Sequence, residues 1–171
     1  MDLQGVIAIS GKPGLYKVIA QGKNNIIVES LDNGKKFPAF ASDKISALDD
    51  ISIYTYDEDV PLIQVYVSLA EKEKFNKSID HKEEPKKLRE YLITFLPNYD
   101  AERVYDTDVK KLFQWYNILV DKGFITEEKV INWKKLQAES EEKVNAEKSE
   151  PVVEETETEK KPKKKPAKKE I

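Results

Sequence analysis

The chain contains no cysteine and one histidine, His81, in its 171 residues. The first absence excludes disulfides, thiolate metal sites and cysteine nucleophiles, and it suits a reducing compartment. The second makes any serine–histidine–acid arrangement or histidine-based metal site depend on a single side chain. That side chain sits beside Lys82, Glu83 and Glu84, in a polar stretch that reads as a surface loop. Long apolar runs are missing too. Nothing approaches the roughly 18 residues a membrane helix needs, and Met1-Asp2-Leu3-Gln4-Gly5 lacks the basic start of a secretory leader. A cytoplasmic protein that neither crosses nor binds a membrane is expected. Also absent are a Gly-x-Ser-x-Gly elbow and the Asp-x-Asp-x-Asp-Gly spacing of a calcium loop. The acidic clusters Asp49-Asp50 and Asp57-Glu58-Asp59 therefore point to no metal, and the second reads as negative charge near a helix start. No catalytic residue, cofactor or metal is expected.

What is present is charge, and it is segregated. Through Leu136 there are 20 basic and 22 acidic residues; Gln137 to Glu159 holds 2 lysines against 9 glutamates; Lys160 to Ile171 holds 7 lysines against 1 glutamate. Beyond Leu136 almost no large apolar side chain remains, so residues 137–171 read as a disordered Glu/Lys/Pro-rich tail, although the good helix formers from Gln137 to Lys148 allow its first turns to continue the fourth helix. Its polycation, Lys160, Lys161, Lys163, Lys164, Lys165, Lys168 and Lys169, is a candidate for salt-sensitive association with nucleic acid or another acidic surface. The glutamates before it compete for the same lysines, and mixed-charge tails also serve only to keep a protein soluble.

Residues 1–57 read as five short strands. These are Val6–Ile9, Leu15–Ala20, Ile26–Leu31, Lys35–Phe40 and Ile51–Tyr56, rich in β-branched and aromatic residues. Asp32-Asn33-Gly34 is a strong hairpin signal, because Asn and Gly tolerate positive φ. Pro38 marks its strand as an edge or a bulge. Ser42-Asp43-Lys44-Ile45 reads as a single helical turn before the last strand. The pattern matches an SH3-like five-stranded barrel.

After Asp59 the apolar period lengthens from two to about 3.6. Residues 60–136 then read as a helical domain of about four helices. The first opens at Pro61, the second at Pro85, the third after Asp106-Thr107-Asp108 and the fourth at Thr126, with Gly123 closing the third. The fold class is thus α+β: an SH3-like barrel, a small helical domain and a charged tail.

The runs "GVIAISGKPGLYKVIAQ", "FPAFASDKISALDDISIYTYDEDVPL" and "VYDTDVKKLFQWYNILVDKG" resemble a family of small uncharacterised bacterial proteins. The resemblance covers residues 1 to about 125 and implies an N-terminal SH3-like domain of unknown function followed by a small helical domain. It implies no site residues and leaves the tail outside.

Gly11-Lys12-Pro13-Gly14 raises the possibility of a phosphate-cradling loop. Such a loop needs successive backbone N–H groups leading into a helix, whereas Pro13 has no N–H and a strand pattern follows Gly14. The tetrad reads as a turn with Lys12 at its tip. In the last strand Tyr54 and Tyr56 point away from Ile51 and Ile53. With Tyr16 or Phe40 they form a candidate aromatic surface, or else they pack on the helices. Lys12, Lys35 and Lys36, with Lys17 and Lys23, give the sheet a basic side. Lys110, Lys111, Gln114 and Asn117 on the third helix offer a faint groove-reading pattern, and Trp115 beside them is a possible partner contact. The expected function is a non-enzymatic binding or adaptor module contacting nucleic acid or a ribonucleoprotein through the barrel rim and tail. A protein–protein module whose tail only solubilises, and an enzyme with an unfamiliar site, are the alternatives.

Overall fold

The computed structural model describes residues 3–147, with side chains through residue 140. Met1–Gln137 form one compact unit, and the chain from Ala138 onward belongs to a second. Of that second unit only the final turns of one helix are described. The tail lysines from Lys160 onward lie outside the described residues.

Strands β1 (Val6–Ile9), β2 (Tyr16–Gln21), β3 (Asn25–Ser30) and β4 (Lys36–Phe40) follow one another as antiparallel hairpins. Strand β5 (Ile45–Ala47) returns beside β1, giving the order β4-β3-β2-β1-β5. The first four strands fall where their sequence pattern places them, and the fifth does not. Asp43 closes a turn, accepting the Phe40 N–H on Oδ2 at 3.0 Å and donating its own N–H to the Phe40 carbonyl at 2.9 Å. That leaves the next residues free to pair with β1 as β5. The 3-10 turn comes later, at Leu48–Asp50. Of the alternating run Ile51–Tyr56 only Ser52–Ile53 forms a strand, β6, paired with β7 (Val60–Pro61) in a separate two-stranded ribbon.

The sheet does not close into a barrel, which corrects the expectation from sequence. The hydrogen-bond phase of β4 explains why. Ser30 N–H donates to the Lys35 carbonyl, so with Val28 opposite Phe37 the residues whose amides face β3 are Phe37 and Ala39. The amides at Lys36, Pro38 and Phe40 face off the sheet. Pro38 has no N–H, and the Phe40 N–H is taken by Asp43. The open side of β4 therefore keeps a single donor, the Lys36 N–H, where a strand beside it would need one at every second residue. This is also where a proline costs a sheet nothing.

Helices α1 (Leu62–Lys72), α2 (Pro85–Ile93), α3 (Asp106–Asp121) and α4 (Glu127–Glu147) follow. Their starts obey the local chemistry. Pro85 sits in the first turn of α2, Asp108 accepts the Tyr105 N–H at 3.2 Å ahead of α3, and Thr126 accepts the Lys129 N–H at 3.4 Å ahead of α4. Gly123, at φ +68°, ends α3. Pro61 pairs in β7 and immediately precedes α1.

Two apolar clusters divide the sheet's faces. Ile7, Ile9, Tyr16, Val28 and Ala39 are buried within its curl, with Phe37 packed against them. The main core takes Leu3, Val6, Leu15 and Leu48 from the sheet side. From the helices it takes Leu62, Tyr66, Leu88, Leu92, Phe113, Tyr116 and Leu119, all buried. This core runs across the change of period near residue 57, so each half of the unit supplies apolar surface that the other covers. Arg89 ties α2 to the start of α3 and the segment before it, donating to Asp106 at 2.5 Å, to the Val104 carbonyl at 3.0 Å and to the Tyr99 hydroxyl at 3.4 Å.

Candidate functional site

The Gly-Lys-Pro-Gly tetrad is a tight turn between β1 and β2. Lys12 N–H donates to the Ile9 carbonyl at 3.1 Å, and Gly11 and Gly14 take φ of +79° and +84°. A Cβ at Gly14 would stand 2.6 Å from Asp32 Oδ2, so glycine there also lets two turns touch. No helix follows the turn. Tyr16, the first residue of β2, instead donates its hydroxyl to the Pro13 carbonyl at 2.7 Å.

This turn forms one bank of a groove whose other bank is α3. Two adjoining clefts make it up, of about 490 Å³ and about 280 Å³, and they share Ile51, Lys111 and Trp115 as walls. The larger is bounded by Gly11 to Gly14, Ser46 of β5 and Gln114 of α3. The smaller has an apolar floor of Ile53, Leu62, Val104 and Leu112, with Tyr54, Arg103 and Asp108 at its margin.

Three cations line this groove, and each has a carboxylate near it. Lys12 lies 4.0 Å from Asp43, Lys111 lies 3.8 Å from Asp108, and Arg103 donates to Asp100 at 2.7 Å. Arg103 also donates to the Thr55 carbonyl at 3.1 Å and lies 4.4 Å over the Tyr54 ring. Its hydrogen bond holds the Asp100 carboxyl below the usual carboxylate range, assisted by the backbone N–H groups of Glu102 and Arg103. Among the described residues no three metal-ligating side chains cluster. His81 lies 3.2 Å from Asp80, on the loop before α2.

The residues singled out from sequence are dispersed. Lys12 is at the groove, where its ammonium also lies 4.5 Å over the Phe37 ring. Tyr16 is buried edge-on to Phe37, at 5.3 Å between ring centres, and burial followed by the charge of Asp32 raises its hydroxyl pKa. Tyr54 is partly covered by Arg103, and Tyr56 is 65 % exposed. Lys36 pairs with Glu29 at 3.4 Å across β3 and β4, and Lys35 is exposed in the preceding turn. Phe40 lies at the far edge of the sheet, on a third cleft. The structure therefore places Tyr16, Phe40 and the Tyr54–Tyr56 pair in three separate surroundings. Asn117 accepts the Ser78 N–H at 2.8 Å and donates to the Ile79 carbonyl, which commits it to holding the loop before α2. Trp115, Lys111 and Gln114 do meet, at the groove. Arg103 carried one sequence signal, its i,i+3 spacing from Asp100; nothing in the sequence placed it over Tyr54.

Two families match the chain in succession. Residues 3–48 match one described as a domain of unknown function (DUF5606), and residues 51–119 match a second, a domain of unknown function (DUF6852). Their junction falls at the 3-10 turn after β5. A protein of Bacteroides vulgatus, whose solution NMR structure comes from a structural genomics consortium, is 44% identical. The alignment covers 73% of this chain and 90% of that one, with a TM-score of 0.61. No curated protein matches.

Proposed function

The chain belongs to the family of that Bacteroides vulgatus protein, and from this premise we propose that it is a non-enzymatic, protein-binding adaptor module that works in the cytoplasm. Its sheet is read as SH3-like: four hairpin-linked strands with the fifth returning beside the first. The observation that carries the reading is the groove in which the Gly-Lys-Pro-Gly turn and Trp115 face each other across Ile51. An apolar floor under a half-buried tryptophan, rimmed by polar groups, is what the centre of a protein interface requires.

A protein segment suits this groove better than a nucleic acid does. A phosphate backbone is drawn by cations that lack carboxylate neighbours, whereas Lys12, Lys111 and Arg103 each have one. Base stacking needs an uncovered ring, and Arg103 already lies over Tyr54. Support for nucleic acid therefore rests on the lysines from Lys160 onward. No helix among the described residues is long and apolar enough to cross a membrane.

The test is a photo-crosslinking residue at Gln114 of the full-length chain, with a second at Lys122 on an exposed position away from the groove. An adduct formed at Gln114 alone, destroyed by protease, untouched by nuclease and lost in Trp115→Ala, is the expected result. A nuclease-sensitive adduct, or none, refutes the reading. Salt titration of RNA and DNA binding, with and without residues 137–171, checks the nucleic-acid alternative directly.

A further inference from the structure

At the opposite side of β5 from β1, the backbone itself defines a second surface, distinct from the groove and independent of its reading. The Ser10 N–H donates to the Lys44 carbonyl at 2.9 Å, and β5 pairs with β1 as Ala8 opposite Ser46 and Ile9 opposite Ile45. This fixes the phase: Lys44 and Ser46 turn their backbone groups toward β1, and Ile45 and Ala47 turn theirs off the sheet. Neither the Ile45 nor the Ala47 N–H donates a backbone hydrogen bond on that side among the described residues, while the Ala47 carbonyl serves the 3-10 turn that follows. Strand β4, across the gap, is blunted at the matching positions by Pro38 and by Asp43. The sheet thus has one spent edge and one live edge.

The space beside the live edge is shaped. A cleft of about 490 Å³ lies in the gap, with Ile45 on one wall and Ala39 and Phe40 on the other, over Ile26. Because Ile45, Ala39 and Ile26 belong to the apolar set inside the curl, a strand added to β5 would direct alternate side chains onto that set. The one charged residue lining the cleft is Lys23, in the turn after β2, and no ion pair engages it among the described residues. Since β5 runs toward Ala47 and Ile45 lies nearest the cleft, an antiparallel strand would bring its C-terminal end toward Lys23.

We propose that this seam is a β-augmentation site, taking an extended segment of a partner protein that runs antiparallel to β5, with alternating small β-branched residues and a carboxylate at its C-terminal end. Main-chain bonds to both backbone groups of Ile45 and to the Ala47 N–H supply the attachment, the apolar wall selects the alternate side chains, and Lys23 selects the acidic end. A second copy of this chain fits less well. Its partner surface would be a three-residue strand, far short of the roughly 800 Å² per side that a stable dimer needs.

Hydrogen exchange on the full-length chain tests this, with the acetylated peptide Thr-Val-Thr-Val-Glu as the probe. In the free protein the Ile45 and Ala47 amides exchange rapidly and the Ser46 amide slowly. With the peptide near 1 mM, the first two slow by about tenfold or more while Ser46 is unchanged. Lys23→Glu reduces the effect, and Ala47→Pro abolishes it while leaving the β1–β5 bonds intact, since that amide faces off the sheet. A probe in which Glu is replaced by Lys separates the acidic requirement from strand addition. Three results overturn the proposal: slow exchange of Ile45 and Ala47 in the free monomer, no slowing with the peptide, or slowing that follows protein concentration without it. The last would identify a second copy as the occupant.

Discussion

Tyr66 and Tyr116 face each other in the main core, ring centres 5.8 Å apart, and both are fully buried. Burial raises both hydroxyl pKa values, that of Tyr66 well above its ordinary 10.0, and the carboxylate of Glu73 pushes Tyr116 further in the same direction. A group whose folded pKa is raised stabilises the fold fully below its unfolded pKa, and the contribution is lost as pH climbs through the folded value. Between pH 9 and pH 11 each tyrosine therefore removes about 1.4 kcal/mol of stability, and the pair about 2.7 kcal/mol. Tyr66→Phe deletes one of these losses. It also deletes the bond from the hydroxyl to the Leu112 carbonyl, at 3.2 Å, a loss of about 1 kcal/mol at neutral pH. The two stability curves should then cross: the variant is the weaker protein at pH 8 and the stronger by a few tenths of a kcal/mol at pH 11. Urea unfolding followed by tryptophan fluorescence at four pH values between 8 and 11 measures this. Parallel curves for the two proteins would refute the claim that Tyr66 stays protonated in the fold.

Other perturbations have equally definite signs. Lys74, exposed at φ +52°, should gain about 0.5–1 kcal/mol on replacement by glycine, read as a rise in the thermal midpoint. Gly123→Ala should lose about 1 kcal/mol from backbone strain alone, since an added Cβ there meets nothing within 4 Å. For Asp100 the folded pKa is lowered, so its contribution is present above the ordinary carboxylate range and lost as pH falls through the folded value. Asp100→Asn should accordingly be less stable at pH 7, with the difference closing in acid titration followed by circular dichroism.

Local chemistry was legible in the sequence wherever it acts within a few residues. Asp32-Asn33-Gly34, Pro85, Gly123 and Thr126 all sit where their backbone preferences place them. The fifth strand was not legible, because Ser42–Ile45 reads locally as a helical turn and the pairing of Ile45–Ala47 with β1 is a long-range contact. Tyr54 and Tyr56 alternate as in a strand, yet their neighbours are Arg103 and Asn98, from a segment more than 40 residues later. Alternation reports which residues share a side; it does not report what waits there. The tetrad pattern identifies Lys12 as a turn tip, whereas its position across from Trp115 is a product of the fold. The open seam was written in Pro38, although its meaning depended on the hydrogen-bond phase of β4.

The shared core also sets an order of events in time. Leu3, Val6, Leu15 and Leu48 are covered by side chains that extend to Val130. At about 5–20 residues per second, a ribosome needs on the order of 4–16 s to add the stretch from Leu48 to Val130. Throughout that interval the hairpins can pair, but one apolar face of the sheet stays bare. The nascent chain is thus most prone to aggregate in the seconds before α3 and α4 emerge, and a stalled or truncated product ending near residue 57 should need a chaperone to stay in solution.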